Sequence, residues 1–441
     1  MNSLKTVLML SRFFPPAFSV GGKRAYRFAR YLPEFGWRAA ILTDEAPRGP
    51  QADTSAGRPL PDVHSIYRDW YPSSWRRPGV ADSDGSATAP TRERVVPPER
   101  LLRRIEWHLT MPLGSELKLA PRTAWLARKL ATQERADAIF ATSSPYAALL
   151  YGVAAKAVTG LPLQLDLRDP WSMNFLQHDK SPWTRWSEAR LEGWLLRRAD
   201  RVTLTCEAAA NAYREQYPDI AARIGCIYNS FDPVQRPTRS CQRSGPVTVV
   251  HFGNCYGRRR LDTVVSAVAE LRERDGIGPD ALRVVNLGRM AAVDLERIAE
   301  LGLEGYFESR PAMPYEEGLE VLARADLQLL LAYGEERLFI PAKLFDYLLA
   351  GSPILCVAPP SELTEIVART GAGLSVSPGA VGQAASALRQ AMAARREGRD
   401  LGHRDESAIM EYSARATAAQ LAAGLDEMVA NRRRASSAPD R

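Results

Sequence analysis

The chain has 441 residues, too many for one compact core at about 100–200 residues per domain, so two or three domains are expected. Hydrophobic residues make up 45% and charged residues 25%, an ordinary globular composition that excludes a mostly disordered protein. Lys and Arg number 58 against 51 acids, and Arg dominates; the net +7 suits an anionic partner (phosphate, a lipid headgroup or nucleic acid), or merely reflects solubility and Arg-rich usage.

The five cysteines are scattered, without a CxxC pair or a His at metal-ligand spacing, which fits a reducing compartment and neither a disulfide framework nor a zinc site. No run of about 18 apolar residues occurs, so no membrane span is expected. The opening apolar run, Thr6–Leu10, is too short for a signal peptide and reads as a buried parallel strand, so a cytoplasmic protein is expected.

A loop over Ser11–Gly22 follows, then a helix over Lys23–Phe35 closed by Gly36, and a strand over Ala39–Thr43: a βαβ unit. Residues from about 45 to 110 form an irregular, Pro- and Ser-rich insertion. Strand and helix patterns then alternate from Asp137 to a short strand at Cys226–Tyr228, with a helix through Glu188–Arg198. Pro233–Gly245 reads as a linker, dividing an N-terminal domain (1–235) from a second α/β series (246–400) that opens with a strand at Val247–Phe252. A last helix is expected over Ser407–Val429 and a disordered tail over 431–441. The fold class is therefore α/β, with two Rossmann-like doubly wound domains that place ligands at strand C-terminal ends.

Four segments carry the chemistry. Gly21-Gly22, read as the turn before a helix, lets the backbone approach an anion at the helix N-terminus, with Arg24 close behind; a plain tight turn is the competing reading. Asp166-Leu167-Arg168-Asp169-Pro170-Trp171 ends a buried strand, where an Asp can hold a hydroxyl or stabilise developing positive charge, or else simply pair with the Arg. His251-Phe252-Gly253-Asn254 leads to Arg258-Arg259-Arg260 before the next helix, where cations oppose the helix dipole unless an anion joins them. Ile340–Pro353 opens a helix carrying Lys343 and Asp346 three residues apart, suited to phosphates and ribose hydroxyls, or to pairing with each other. Gly351 and Pro353 end that helix.

These segments, in this order, resemble the GT-B glycosyltransferases, and within them the retaining, nucleotide-sugar-dependent family 4. The likeness runs over nearly the whole chain except about 45–110 and the tail. It implies two domains across an interdomain cleft, with the last helix crossing back to the N-terminal domain. It implies transfer of a sugar, of hexosyl type, from a nucleotide-diphosphate sugar to a hydroxyl acceptor (a glycan, a lipid-linked sugar or a small molecule) in polysaccharide or glycoconjugate biosynthesis. Donor binding falls to Gly21, Gly22, Gly253, Arg258, Arg259, Lys343 and Asp346; acceptor binding to Arg24, Arg168 and Trp171; catalysis to Asp166 and Asp169. No metal and no cofactor beyond the donor is expected, and no nucleic-acid partner. Relatives often carry two glutamates eight apart, but here Leu338 stands at the first position, beside Glu335 and Glu336, and Asp346 at the second. A sugar epimerase of the same fold and a non-catalytic nucleotide-sugar-binding protein are the alternatives. Basic aromatic segments at Trp75-Arg76-Arg77 and Arg103–Trp107 suggest peripheral contact with an anionic inner leaflet, or a solvated loop.

Overall fold

The computed structural model describes residues 3–16, 20–44, 60–61, 63–68, 70, 113–174, 180–238, 245–255, 257, 259–311, 313–332, 337–399 and 401–437. The chain forms two compact units, Met1–Tyr228 with Ala414–Arg441, and Asn229–Ser413. The division thus falls ahead of Pro233–Gly245. Among the described residues no helix is long and apolar enough to cross a membrane.

The first unit runs β1 (Lys5–Leu10), α1 (Val20–Tyr31), β2 (Trp37–Leu42), β3 (Ser65–Tyr67), α2 (Ala120–Gln133), β4 (Ala138–Thr142), α3 (Ala147–Thr159), β5 (Leu163–Leu167), α4 (Pro182–Leu196), β6 (Arg201–Leu204), α5 (Glu207–Gln216) and β7 (Ile224–Cys226). Its strands are parallel, in the order β3-β2-β1-β4-β5-β6-β7. Val7–Leu10 are fully buried because helices cover both faces of a parallel sheet, which is why the strand reads as an unbroken apolar run. β3 is an edge strand inside the stretch expected to be irregular, too short to show a period of its own.

The second unit contains β8 (Val247–Phe252), α6 (Asp262–Asp275), β9 (Leu282–Leu287), α7 (Ala292–Glu300), β10 (Phe307–Arg310), α8 (Tyr315–Arg324), β11 (Leu327–Leu331), α9 (Lys343–Ala350), β12 (Ile354–Val357), α10 (Glu362–Arg369), β13 (Gly373–Val376), α11 (Val381–Glu397) and α12 (Glu406–Met410). The order β10-β9-β8-β11-β12-β13, again parallel, repeats the same winding. In each sheet the winding reverses beside the first strand, between β1 and β4 and between β8 and β11. Open α/β sheets bind ligands at the carboxyl ends of the strands flanking such a reversal.

The expected single helix over Ser407–Val429 is two. α12 ends at Met410, Phe231 bridges to Ser413, and α13 (Ala414–Ser437) then returns to the first unit. There Ala414, Ala418, Leu421 and Leu425 join Phe28, Trp37 and Phe140 in one core. Trp37, wholly buried, donates Nε1–H to Asp426 at 2.9 Å, and Lys5 pairs with the same carboxylate. Burying one such side chain contributes about 1.5–3 kcal/mol. The helix continues to Ser437, so the tail expected from 431 is helical as far as it is described.

Candidate functional site

In the second unit the chain leaves β8 at His251-Phe252-Gly253. The Gly253 N–H donates to the Leu287 carbonyl at the end of β9. Two glycines are needed there. Gly288 has φ +141, and a Cβ on it lies 2.7 Å from the Gly253 backbone; Gly253 has φ +126, and a Cβ on it lies 2.5 Å from Lys343 Nζ. The N-terminus of α9 thus lays its lysine across the bare backbone of the β8 turn. Tyr347, one turn along α9, accepts from the Phe252 N–H at 2.9 Å and donates to the Leu329 carbonyl at 3.1 Å, fixing the helix against β8 and β11.

His251 holds that lysine. Asn286 donates its amide N–H to the Gly288 carbonyl (2.7 Å), which leaves its oxygen to accept from His251 Nδ1 at 2.6 Å. The remaining ring nitrogen, Nε2, is then an acceptor, 3.3 Å from Lys343 Nζ. Burial, helped by the charges of Lys343 and Arg259 and opposed by the bond with Asn286, lowers the imidazole pKa to about 3. The histidine is therefore neutral, and it positions a cation without adding charge of its own. The sequence quoted His251 but could not assign it, because both partners lie far along the chain.

Arg260 pairs with buried Asp294 (3.4 Å), and Asp294 also accepts the Leu261 N–H. One of the three arginines is thus balanced from within the fold. The charge of Arg259 reaches His251, and Arg258 lies outside the described residues, as do Glu335 and Glu336. Asp346 accepts from Tyr315 Oη at 2.6 Å. α9 therefore splits the expected pair, with Lys343 turned to β8 and Asp346 to α8.

In the first unit, four expectations change. Gly21 and Gly22 do not precede the helix; they lie in the first turn of α1, which starts at Val20. Arg24 is buried and spent on structure. It forks onto Asp166 (2.9 and 2.8 Å) and donates to the Ile227 and Tyr228 carbonyls (2.8 and 2.7 Å). Asp166, wholly buried on β5, also accepts from Thr142 (2.7 Å) and Thr203 (2.9 Å), so both oxygens are occupied by the protein. Burial pushes its carboxyl up, but the Arg24 charge and these hydrogen bonds outweigh that and hold it below the usual range. Trp171 is buried as well. It stacks on Tyr146 at 5.1 Å, and its backbone N–H donates to Tyr213 Oη. These three side chains shape the loop after β5 and present nothing to a ligand.

Asp169 differs, for its side chain opens to solvent at the end of β5. The protein packed around it raises its carboxyl above the usual range, against the opposing charge of Arg168. Arg168 itself donates Nε–H to the Ser143 carbonyl, and its backbone N–H goes to Ser143 Oγ at 3.1 Å. Among the described residues no group of three or more His, Cys, Asp or Glu is gathered as a metal site would need.

Two parallel, doubly wound units of this kind make up a GT-B fold. Residues 21–229 match the glycosyl transferase 4-like domain, so the resemblance to family 4 holds over most of the first unit. No curated protein matches the sequence. Sucrose-phosphate synthase from Thermosynechococcus elongatus superposes with a TM-score of 0.63 at 15% identity, over 97% of this chain and 100% of that one. A glycosyltransferase from Rickettsia africae gives 0.62 at 12% identity, over 97% and 99%. A UDP-GlcNAc 2-epimerase from Methanocaldococcus jannaschii gives 0.51 at 10% identity, over 96% and 100%. At these identities the superpositions establish the fold.

Proposed function

We propose that the protein is a retaining glycosyltransferase that moves a hexosyl group from a nucleotide-diphosphate sugar to a hydroxyl acceptor, a glycan, a lipid-linked sugar or a small molecule. The observation that carries this reading is the cradle of Lys343, Arg259, Gly253 and neutral His251 at the β8–α9 junction. A diphosphate seated there meets bare backbone, a helix N-terminus and two cations, which together offset the charge that builds as the nucleotide leaves. This is the role a metal plays in other transferases, so no metal is invoked. Asp346 is the candidate for ribose or sugar hydroxyls, and the first turn of α1 at Gly21-Gly22 for a further donor oxygen.

Asp169 is the carboxylate on the acceptor side with an open surface, and it takes the role of holding the acceptor hydroxyl. Arg168 orients that loop through Ser143, while Asp166 and Arg24 support it from below. The reading places the enzyme in the cytoplasm, in glycan or glycoconjugate synthesis. The epimerase superposition supports a second reading, interconversion of a nucleotide sugar on the same fold.

Nucleoside diphosphates test the donor site directly. A ligand at about 100 times its Kd adds about 2.7 kcal/mol to the folded state. For a unit of this size that corresponds to a rise of roughly 5–11 °C in melting temperature. One of UDP, GDP, ADP or TDP is expected to produce it, and Lys343→Ala to remove it. No rise with any of the four contradicts the proposed donor site.

A further inference from the structure

Helix α4 is built inside out. Its two acids face inward: Glu188 is 3% exposed and Glu192 wholly buried. Glu188 is met by Lys180, and Glu192 by the hydroxyls of Ser172, Tyr213 and Tyr217. Its tryptophans face outward, Trp183 at 66%, Trp186 at 54% and Trp194 at 43% exposure. The exposed positions from Pro182 through Arg198 are proline, tryptophan and arginine alone. Positions 183, 186, 190 and 194 follow one helical face.

A water-facing surface does not account for three large indoles, which soluble proteins expose singly. We infer that the exposed Trp/Arg face of α4 is a docking surface for an anionic lipid bilayer, with the indoles at the headgroup level and Arg190 and Arg198 on lipid phosphates. Charge complementarity selects this occupant. The face carries arginines and no exposed acid of its own helix; among the described residues only Arg197 is matched by an acid, Asp219 at 2.7 Å from beyond α5. A second copy would set arginine against arginine. Stacking ligands, bases or sugar rings, need open ring faces. Here Trp183 and Trp186 stack on each other at 4.9 Å, and Arg198 covers Trp194 at 3.5 Å. A groove of about 490 Å³ beside the helix is lined by Trp186, Arg190, Trp194 and Arg198, with Gln216 and Tyr217 opposite. It offers a phosphate-bearing headgroup a place between guanidinium groups. Indoles with arginines are the residue pair suited to that layer.

This inference does not rest on the transferase reading, and its test has a separate readout. The full chain is floated at low salt with vesicles of phosphatidylcholine and phosphatidylglycerol, and with phosphatidylcholine alone. Binding is expected to the anionic vesicles, with a blue shift of tryptophan emission, and release by salt. Arg190→Gln with Arg198→Gln is expected to weaken partitioning about 30-fold, since each basic residue contributes about a fivefold factor at such a surface. Trp183→Ala with Trp186→Ala is expected to abolish the blue shift. Both double variants change exposed side chains and keep the melting temperature, so lost binding is not lost folding. Failure of the wild-type chain to float overturns the inference, and so does unchanged binding by both variants. Self-association, or capture of a single-stranded oligonucleotide through this face without vesicle binding, overturns it too.

Discussion

Removing Arg24 is expected to destabilise the first unit and to reverse the sign of its pH dependence. Arg24→Met takes away both bonds to Asp166 and leaves that carboxylate wholly buried with only two threonine hydroxyls. Breaking a buried pair from one side costs about 3–5 kcal/mol, a fall of roughly 6–20 °C in melting temperature for a unit of this size. Asp166→Leu is expected to cost less, because Arg24 keeps the Ile227 and Tyr228 carbonyls. In the wild type, Asp166 has a depressed folded pKa. Its contribution is therefore present above the unfolded value of about 4 and lost as pH falls through the lower folded value. Without Arg24, burial dominates and the folded pKa lies above about 4, so stability falls as pH rises from there. Thermal melts from acid to neutral pH read both slopes. Wild-type stability in Arg24→Met, or an unchanged slope, refutes the assignment of this pair to structure.

Lys343→Ala and Arg259→Ala are each expected to lower turnover about 10- to 150-fold with little change in stability, since one charged hydrogen bond is worth about 1.5–3 kcal/mol; steady-state kinetics checks this. Gly253→Ala places a methyl against Lys343 Nζ at a positive φ; it is expected to weaken nucleoside diphosphate binding, measured by calorimetry, and to cost about 1–3 kcal/mol of stability. His251 titrates near 3, so donor affinity is expected to show no histidine step between about pH 5 and 8, followed by the same calorimetry. Burial raises the Glu192 carboxyl, so it costs stability as pH climbs above the unfolded value of about 4.3. Glu192→Gln is expected to flatten that slope in urea titrations.

Alternating apolar strands and helices made both doubly wound units legible, because parallel strands covered on both faces leave uninterrupted runs such as Val7–Leu10. The terminal break at 411–413 was not legible, for it depends on the distant bridge from Phe231 to Ser413. The glycine pair 21–22 read as a turn, yet it opens a helix whose second turn is anchored by Arg24. A place at a strand end marked Asp166 as a site residue, and a place behind the glycine pair marked Arg24. Their burial and mutual pairing span 142 positions, which no local pattern reveals. Trp171, assigned to the acceptor through the resemblance, is buried against Tyr146, a partner 25 positions away that the motif does not show. Lys343 and Gly253 were singled out separately; their contact, and the part of His251 in it, needed the β8–α9 packing. The basic aromatic segments at 75–77 and 103–107 lie outside the described residues.

Incubation of the chain with labelled nucleotide-diphosphate sugars and a mixture of hydroxyl acceptors, lipid-linked sugars included, tests the central claim most directly. The account predicts free nucleoside diphosphate in step with label carried onto an acceptor, with the anomeric configuration retained, and loss of both in Lys343→Ala. Label that stays on the nucleotide while the sugar changes configuration, or a donor that is bound and recovered intact, contradicts it.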